Sequence, residues 1–259
     1  MKTNKTISKI KETFLKTLKE LILSFKEKKI IWAFIYDACF ILIAGIILKT
    51  ASKLLLQRMD ALGITQVKTA DMMVQNMGVM KEFMYTAVIT GIILYLLLVV
   101  IYTISRGLIW AKIMDLKLTK KYFLKFGLLS AVWITGWILA FALLITITNQ
   151  QYYKWIMIIM GISYIHLTTV LHHAFSHRNE IWSAVQKAVS TGLSKIHQLI
   201  LPYIYIIIIF ILIEQILTLT MQIPVSLQAM QITGITMMLL FLAWYKTYLN
   251  KAIIKIEKA

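Results

Sequence analysis

The sequence predicts an all-α, polytopic membrane protein with six spans, amphipathic interfacial helices on the cytoplasmic side and one more such helix in the first outer loop. Of its 259 residues, 59% are hydrophobic and only 15% are charged, and the mean hydropathy is +0.77. Soluble domains are about 45–50% apolar and about 25% charged. The composition therefore excludes an ordinary soluble enzyme, a disordered chain and a fibrous repeat, and favours a protein that keeps its apolar surface in a bilayer.

Six long apolar runs give the predicted spans. Each is about as long as the 17–25 residues that a helix needs to cross roughly 30 Å of hydrocarbon. We expect a basic amphipathic segment over 1–29, a transmembrane domain over 30–248 and a short basic tail over 249–259. The runs are Ile30–Leu48, Phe83–Ser105, Phe126–Thr148, Trp155–Ala174, Leu199–Met221 and Ala229–Tyr245.

The basic residues orient these spans. The chain has 28 Lys and Arg against 11 Asp and Glu, a net charge of +17. Of the 28, 22 fall before span 1, between spans 2 and 3, between spans 4 and 5, or after span 6. The positive-inside rule then predicts a multi-pass protein of the cell membrane with both termini in the cytoplasm. This asymmetry accounts for most of the net charge, so we predict no nucleic-acid partner.

Amphipathic segments precede the spans that leave the cytoplasm. Near the N-terminus, apolar residues recur at steps of three and four with lysines between them, which is typical of a helix lying in the membrane interface. The segments Ile109–Lys121 and Ile181–Ile196 show the same pattern. The N-terminal stripe consists of Ile7, Ile10, Phe14, Leu18, Leu21 and Phe25.

The longest outer connection, Thr50–Glu82, is rich in methionine. Met73, Met77, Met80 and Met84 follow a helical stripe. Thioethers can bind Cu(I), but no Cys or His accompanies them in this connection, and methionine at helical spacing is more often used in packing. We therefore predict an outer interfacial helix here and no metal.

Ionisable residues inside spans are costly and are candidates for function. Asp37, His166 and Glu214 are such residues, and we expect them to be buried. At 1.5 Å per residue, Asp37 and His166 lie within about 4 Å of each other in depth, so they could meet if spans 1 and 4 are neighbours. Thr169 and His173 share one helical face with His166, since they lie three and seven residues further along.

The chemistry of known catalytic motifs is missing. The chain contains no Gly-x-Gly-x-x-Gly, no phosphate-binding lysine loop, no His-Glu-x-x-His and no Gly-x-Ser-x-Gly. His173 and His177 have a spacing that can place two imidazoles on one metal ion, but no further ligands accompany them. We therefore predict no enzymatic activity, no catalytic residue, no cofactor and no metal site, although an intramembrane enzyme of an unfamiliar type remains an alternative.

Three features carry a resemblance at the level of layout: the basic amphipathic N-terminus, the Ile-Tyr-Asp of Ile35–Asp37 in span 1, and the amphipathic segments before spans 3 and 5. With them the chain resembles uncharacterised six-span membrane proteins of archaea and bacteria. It is also similar to the membrane region attached to some glycerophosphodiester phosphodiesterases. The resemblance covers nearly the whole chain and implies a membrane-embedded module without a hydrolase domain.

Two functions follow from these features. The first is a non-enzymatic membrane module that binds anionic lipid or a protein partner through its basic cytoplasmic segments, for which Lys112, Lys117, Lys120 and Lys121 are the candidate residues. The alternative is a small-solute or proton-coupled transporter that uses Asp37, His166 and Glu214. The transporter requires a continuous polar cavity that joins the three side chains.

Overall fold

Long helices account for most of the chain in a computed structural model. The structure describes residues 15, 17–64, 76–220 and 226–258, with side chains as far as residue 255. We number the helices α1 (17–24), α2 (Lys29–Ala61), α3 (Met77–Ile113), α4 (Lys120–Ile147), α5 (Tyr153–Arg178), α6 (Ile181–Val189), α7 (Ile196–Thr220) and α8 (Leu227–Lys258). A short 3₁₀ helix covers Gln150–Tyr152 and a π-helical turn covers Ser190–Ser194. No strand occurs in these described ranges.

Six of these helices are long and apolar enough to cross a membrane, and they correspond to the six predicted spans. The third span ends one residue earlier than predicted, at Ile147, and Met221 at the end of the fifth lies outside the described residues. In their most apolar windows only 11% to 33% of the residues are buried inside the protein. Helices with so much exposed apolar surface need lipid around them. The predicted all-α, six-span fold is therefore confirmed, and the chain is a multi-pass membrane protein.

The helices extend beyond the predicted spans, so part of the predicted outer connection is helical. α2 continues to Ala61 and α3 already begins at Met77, so Met77, Met80 and Met84 belong to a long helix. No separate interfacial helix lies in the described part of this outer connection. Met73 lies outside the described residues.

The segment 109–121 also differs from its prediction. α3 ends at Ile113, and Asp115 adopts a left-handed conformation with φ 55°. The Leu116 N–H then donates to the Ala111 carbonyl at 2.9 Å, as in a Schellman cap. α4 begins after Thr119, whose hydroxyl accepts a hydrogen bond from the Tyr122 N–H at 3.1 Å and so caps the helix. The pattern that predicts one amphipathic helix therefore belongs to a helix end, a turn and a new helix.

The described chain divides into two compact units. Unit 1 comprises 1–37 and 106–259, and unit 2 comprises 38–105. In unit 2, portions of α2 and α3 lie against each other, with Phe40 and Tyr102 edge to face at 6.0 Å and Arg58 paired with Glu82. Between them lies an apolar groove of about 340 Å³ that includes Thr50 and Thr90.

All described buried residues of unit 1 lie at one end of its helices. We call this part the basic end and define it as residues 17–37, 106–130, 166–206 and 239–255. Its core contains three apolar clusters, with Trp110, Phe126, Leu199 and Tyr248 among the largest fully buried side chains. α1 belongs to this core, because the Trp244 Nε1–H donates to Ser24 Oγ at 2.8 Å. The predicted N-terminal stripe is described only for Leu18, Leu21 and Phe25; Ile7, Ile10 and Phe14 lie outside the described residues.

α6 is a short amphipathic helix, as the sequence predicts for the first part of 181–196. Ala184 and Ala188 are fully buried against the protein, whereas Trp182 is 83% exposed. The predicted apolar stripe of 181–196 does not form one packed face, because Val189, Leu193 and Ile196 are exposed. An exposed apolar face beside transmembrane helices is suited to the lipid interface.

The orientation can be tested through the single cysteine, Cys39. In a Cys39→Ser background, we expect Lys154→Cys in intact cells to react with a membrane-impermeant maleimide and Lys117→Cys to react only after lysis. Both positions are exposed, so burial does not limit labelling. The opposite pattern would contradict the predicted cytoplasmic location of the basic end.

Candidate functional site

Asp37 lies at the centre of a buried ion cluster. One carboxylate oxygen accepts a hydrogen bond from the Arg106 guanidinium and the other accepts one from the Lys246 ammonium. The Asp37 side chain is 2% exposed, against 17% for Arg106 and 12% for Lys246. One acid thus joins α2, α3 and α8, and both of its oxygens are used.

The positions of Asp37 and Arg106 along their helices explain how the two side chains come into contact. Lys29 near the start of α2 donates to the Ile113 carbonyl at 2.9 Å near the end of α3. From that level, Asp37 lies about 12 Å further along α2 and Arg106 lies about 10 Å back along α3. The side chains therefore reach the same depth.

Sequence reasoning missed both cations. Arg106 and Lys246 directly follow the predicted ends of spans 2 and 6, and the hydropathy pattern therefore places both outside the membrane. In the structure, α3 and α8 continue through these positions, and both side chains turn into the bundle. The available signal is Asp37 itself, because a desolvated carboxylate requires a cation, and Arg106 and Lys246 are among the cations that directly adjoin spans at the same membrane boundary.

His166 is hydrogen-bonded to groups other than Asp37, so the Asp37–His166 contact that the sequence allows for neighbouring spans 1 and 4 is not among its hydrogen bonds. Its Nε2–H donates to the Gly192 carbonyl at 2.8 Å, and its Nδ1 is hydrogen-bonded to the Tyr203 hydroxyl. Because a carbonyl only accepts, Nε2 carries a proton, and in the neutral ring Nδ1 accepts from Tyr203. His166 therefore links α5 to the π-helical turn and to α7.

Thr169 and His173 continue this interface along α5. The Thr169 hydroxyl donates to the Ile165 carbonyl at 2.7 Å and lies 3.4 Å from the Tyr245 hydroxyl. The His173 Nδ1–H donates to Asn250 Oδ1 at 2.7 Å. All three predicted polar residues of α5 are buried and face α7, α8 or the π-helical turn between α6 and α7.

Glu214 is exposed, which corrects the expectation that this acid is buried. It lies in the half of α7 distant from the basic end, where its neighbours Leu212 and Ile216 are also exposed. Ile213 packs against the buried core, so Glu214 beside it lies on a face of α7 that is turned away from the core. Glu214 therefore shares no site with Asp37 or His166.

No metal centre is formed by the described residues, among which no group of three or more His, Cys, Asp or Glu side chains is arranged to hold an ion. His173 is hydrogen-bonded to Asn250, and His177 is exposed. The predicted lipid-binding lysines, Lys112, Lys117, Lys120 and Lys121, are all exposed. Lys112 also lies 5.2 Å from the Trp32 ring, within the range of a cation–π interaction.

In comparisons with known proteins, no family model, no curated protein and no solved structure matches the chain. The layout-level resemblance to the membrane region of glycerophosphodiester phosphodiesterases stays a prediction. The function is therefore argued from the geometry of the chain itself.

The close approach at Gly192 gives a test of the His166 interface. A Cβ at this position would lie 2.7 Å from Leu167 Cδ2 and 3.4 Å from His166 Nε2. We expect Gly192→Ala to destabilise the protein by about 1 kcal/mol, the low end for overpacking, because the Leu167 methyl group that it meets is the end of a flexible side chain and can shift. The measurement is thermal unfolding in detergent.

Two further variants control this test. Gly161→Ala on α5 has no heavy atom within 4 Å of the added Cβ and should not destabilise. Adding Leu167→Ala to Gly192→Ala removes the closest clash and should recover part of the loss. Equal unfolding temperatures for Gly192→Ala and the parent chain would contradict the close packing.

Proposed function

We propose that this multi-pass membrane protein is a non-enzymatic module that binds anionic lipid through an exposed basic surface at its basic end. The observation that carries the proposal is a set of four exposed lysines around the turn between α3 and α4. We call Lys112, Lys117, Lys120 and Lys121 the basic patch. Lysines at a membrane surface attract anionic headgroups by about 1 kcal/mol each.

Four of the five acids described in the basic end are paired with cations of the protein, and the fifth, Glu180, is exposed. Glu20 pairs with Lys255, Glu27 with Lys251 and Asp115 with Lys29, in addition to the cluster at Asp37. Within the described ranges, none of the ion pairs includes a lysine of the basic patch. The excess positive charge is therefore directed outward, where an external anion can compensate it.

The position of Lys120 and Lys121 supports a role beyond folding. Both lie in the first turn of α4, which contains no acidic residue. The N-terminus of a helix carries a partial positive charge, and cations there are unfavourable by about 0.3–1 kcal/mol each. Helix stability alone would favour acids at these positions, whereas recruitment of anionic lipid favours lysines.

The transporter alternative has weaker geometric support. It requires Asp37, His166 and Glu214 to line a common path. Asp37 is bound by two cations, His166 is hydrogen-bonded to another pair of groups and Glu214 is exposed. Neither the groove between α2 and α3 nor a cavity of about 300 Å³ at the basic end is lined by any of the three.

The proposal can be tested by lipid-dependent stability. In detergent, we expect phosphatidylglycerol to raise the unfolding temperature more than phosphatidylcholine with the same acyl chains. Replacing all four lysines of the basic patch with Gln should reduce this difference, by about 1 kcal/mol per lysine at low salt. High salt should reduce it as well, because exposed charges are screened.

A matched control replaces four exposed lysines near the predicted outer ends of the helices with Gln. These are Lys49, Lys53, Lys81 and Lys154. This variant should keep most of the preference for phosphatidylglycerol. Equal stabilisation by the two lipids in the parent chain would overturn lipid binding and leave an acidic protein partner as the occupant of the basic patch.

A further inference from the structure

A second polar feature of the basic end is a cavity of about 300 Å³, which is near the lower limit for small-molecule pockets. It lies between the connection that precedes α2, the end of α3 and the last third of α8. Its walls combine charged, polar and apolar groups from unit 1 alone. They are formed by Glu27, Lys29, Ile113, Met114, Asp115, Thr247, Asn250, Lys251 and Ile254.

Two ion pairs form the charged walls. Lys29 lies 2.5 Å from Asp115, and Lys251 lies 2.7 Å from Glu27. Glu27 and Lys29 are two residues apart around the start of α2, so the two ion pairs lie close together in sequence on one wall. The four formal charges add to zero, and a ligand with a net charge would leave one of them unbalanced.

These ion pairs can exchange partners at low cost. About one third of the side chains of Lys29, Glu27 and Lys251 is exposed, and Asp115 is mostly exposed. Such pairs contribute only about 0–1 kcal/mol each. A ligand that supplies both an ammonium and an anionic group can bind a carboxylate and a lysine together, so that all charges remain paired.

The depth of the cavity suits a lipid headgroup. Its residues on α8 lie from about 3 Å (Thr247) to about 14 Å (Ile254) beyond the predicted membrane boundary at Tyr245, so the nearer part of the cavity is at headgroup depth. The headgroup layer extends roughly 5–8 Å from the hydrocarbon edge. Ile113, Met114 and Ile254 supply apolar contacts on the same walls.

We propose that this cavity binds a zwitterionic group in which an ammonium and a phosphate are joined by a short linker. The ammonium would contact Glu27 or Asp115, and the phosphate would contact Lys29 or Lys251. Phosphatidylethanolamine carries this group on a lipid, and phosphoethanolamine carries it in solution. In its lipid form the inference rests on the proposed function, to which it adds a defined site and a second class of headgroup.

The first experiment distinguishes the two sources. The purified full-length protein is exchanged into detergent with equal amounts of phosphatidylethanolamine and phosphatidylcholine, and the lipids that it retains are counted by native mass spectrometry. Calorimetry in the same detergent measures binding of free phosphoethanolamine, with phosphocholine for comparison. Retention of phosphatidylethanolamine alone supports a lipid ligand, and binding of phosphoethanolamine supports a soluble one. Equal retention of the two lipids together with no binding of phosphoethanolamine would overturn the proposal.

Isosteric variants test the site. The double variant Glu27→Gln with Asp115→Asn removes the two carboxylates, and Asn tolerates the left-handed conformation at residue 115. We expect its preference for the ethanolamine group to fall roughly tenfold. Glu180→Gln, which removes an exposed acid away from the cavity, should leave the preference unchanged. An unchanged preference in the double variant would overturn the proposal.

The four-lysine variant of the basic patch separates the two proposals. If the cavity binds the zwitterionic group, this variant should lose its preference for phosphatidylglycerol and keep its preference for phosphatidylethanolamine. If it loses both preferences, while the unfolding temperature without lipid stays that of the parent chain, the cavity is not an independent site.

Discussion

The Asp37 carboxylate imposes the strongest constraint on the basic end. It is almost fully buried in an apolar bundle, where an unpaired ionised carboxylate would cost several kcal/mol. Arg106 and Lys246 satisfy its two oxygens and so fix where α3 and α8 lie against the first part of α2. One helical turn beyond these cations, Trp110 packs near His173, and Asn250 accepts its hydrogen bond from His173. The position of α5 therefore depends on the same cluster.

Charge is distributed in a consistent way around this cluster. Acids at the basic end connect elements of the core: Glu20 and Glu27 hold the connection around α1 to α8, and Asp115 holds the end of α3 to Lys29. Lysines in excess of these acids remain on the surface. The strongly basic composition therefore leaves an exposed cationic surface beyond the ion pairs that assemble the helices, and we propose that this surface meets anionic lipid.

The hydropathy of the sequence predicted the spans, because a bilayer requires long apolar helices whatever their neighbours are. It also singled out Asp37 and His166 as buried polar residues. It could not assign their partners, since depth along separate helices does not say which helices are adjacent. The ends of the helices could not be predicted either. Asp115 ends α3 through a left-handed backbone conformation, which amphipathic periodicity does not encode. Glu214 shows the opposite limit, because a position within a span does not distinguish the packed face of a helix from its exposed face.

The most direct test of the central role of Asp37 is a double-mutant cycle with Lys246, measured as the free energy of unfolding in detergent. The variants are Asp37→Asn, Lys246→Met and their combination. If the carboxylate assembles the basic end, the effect of Lys246→Met should be more favourable by about 1–3 kcal/mol in the Asp37→Asn background, since it then removes a buried cation that has lost its anion. Additive effects, within about 0.5 kcal/mol, would contradict this account.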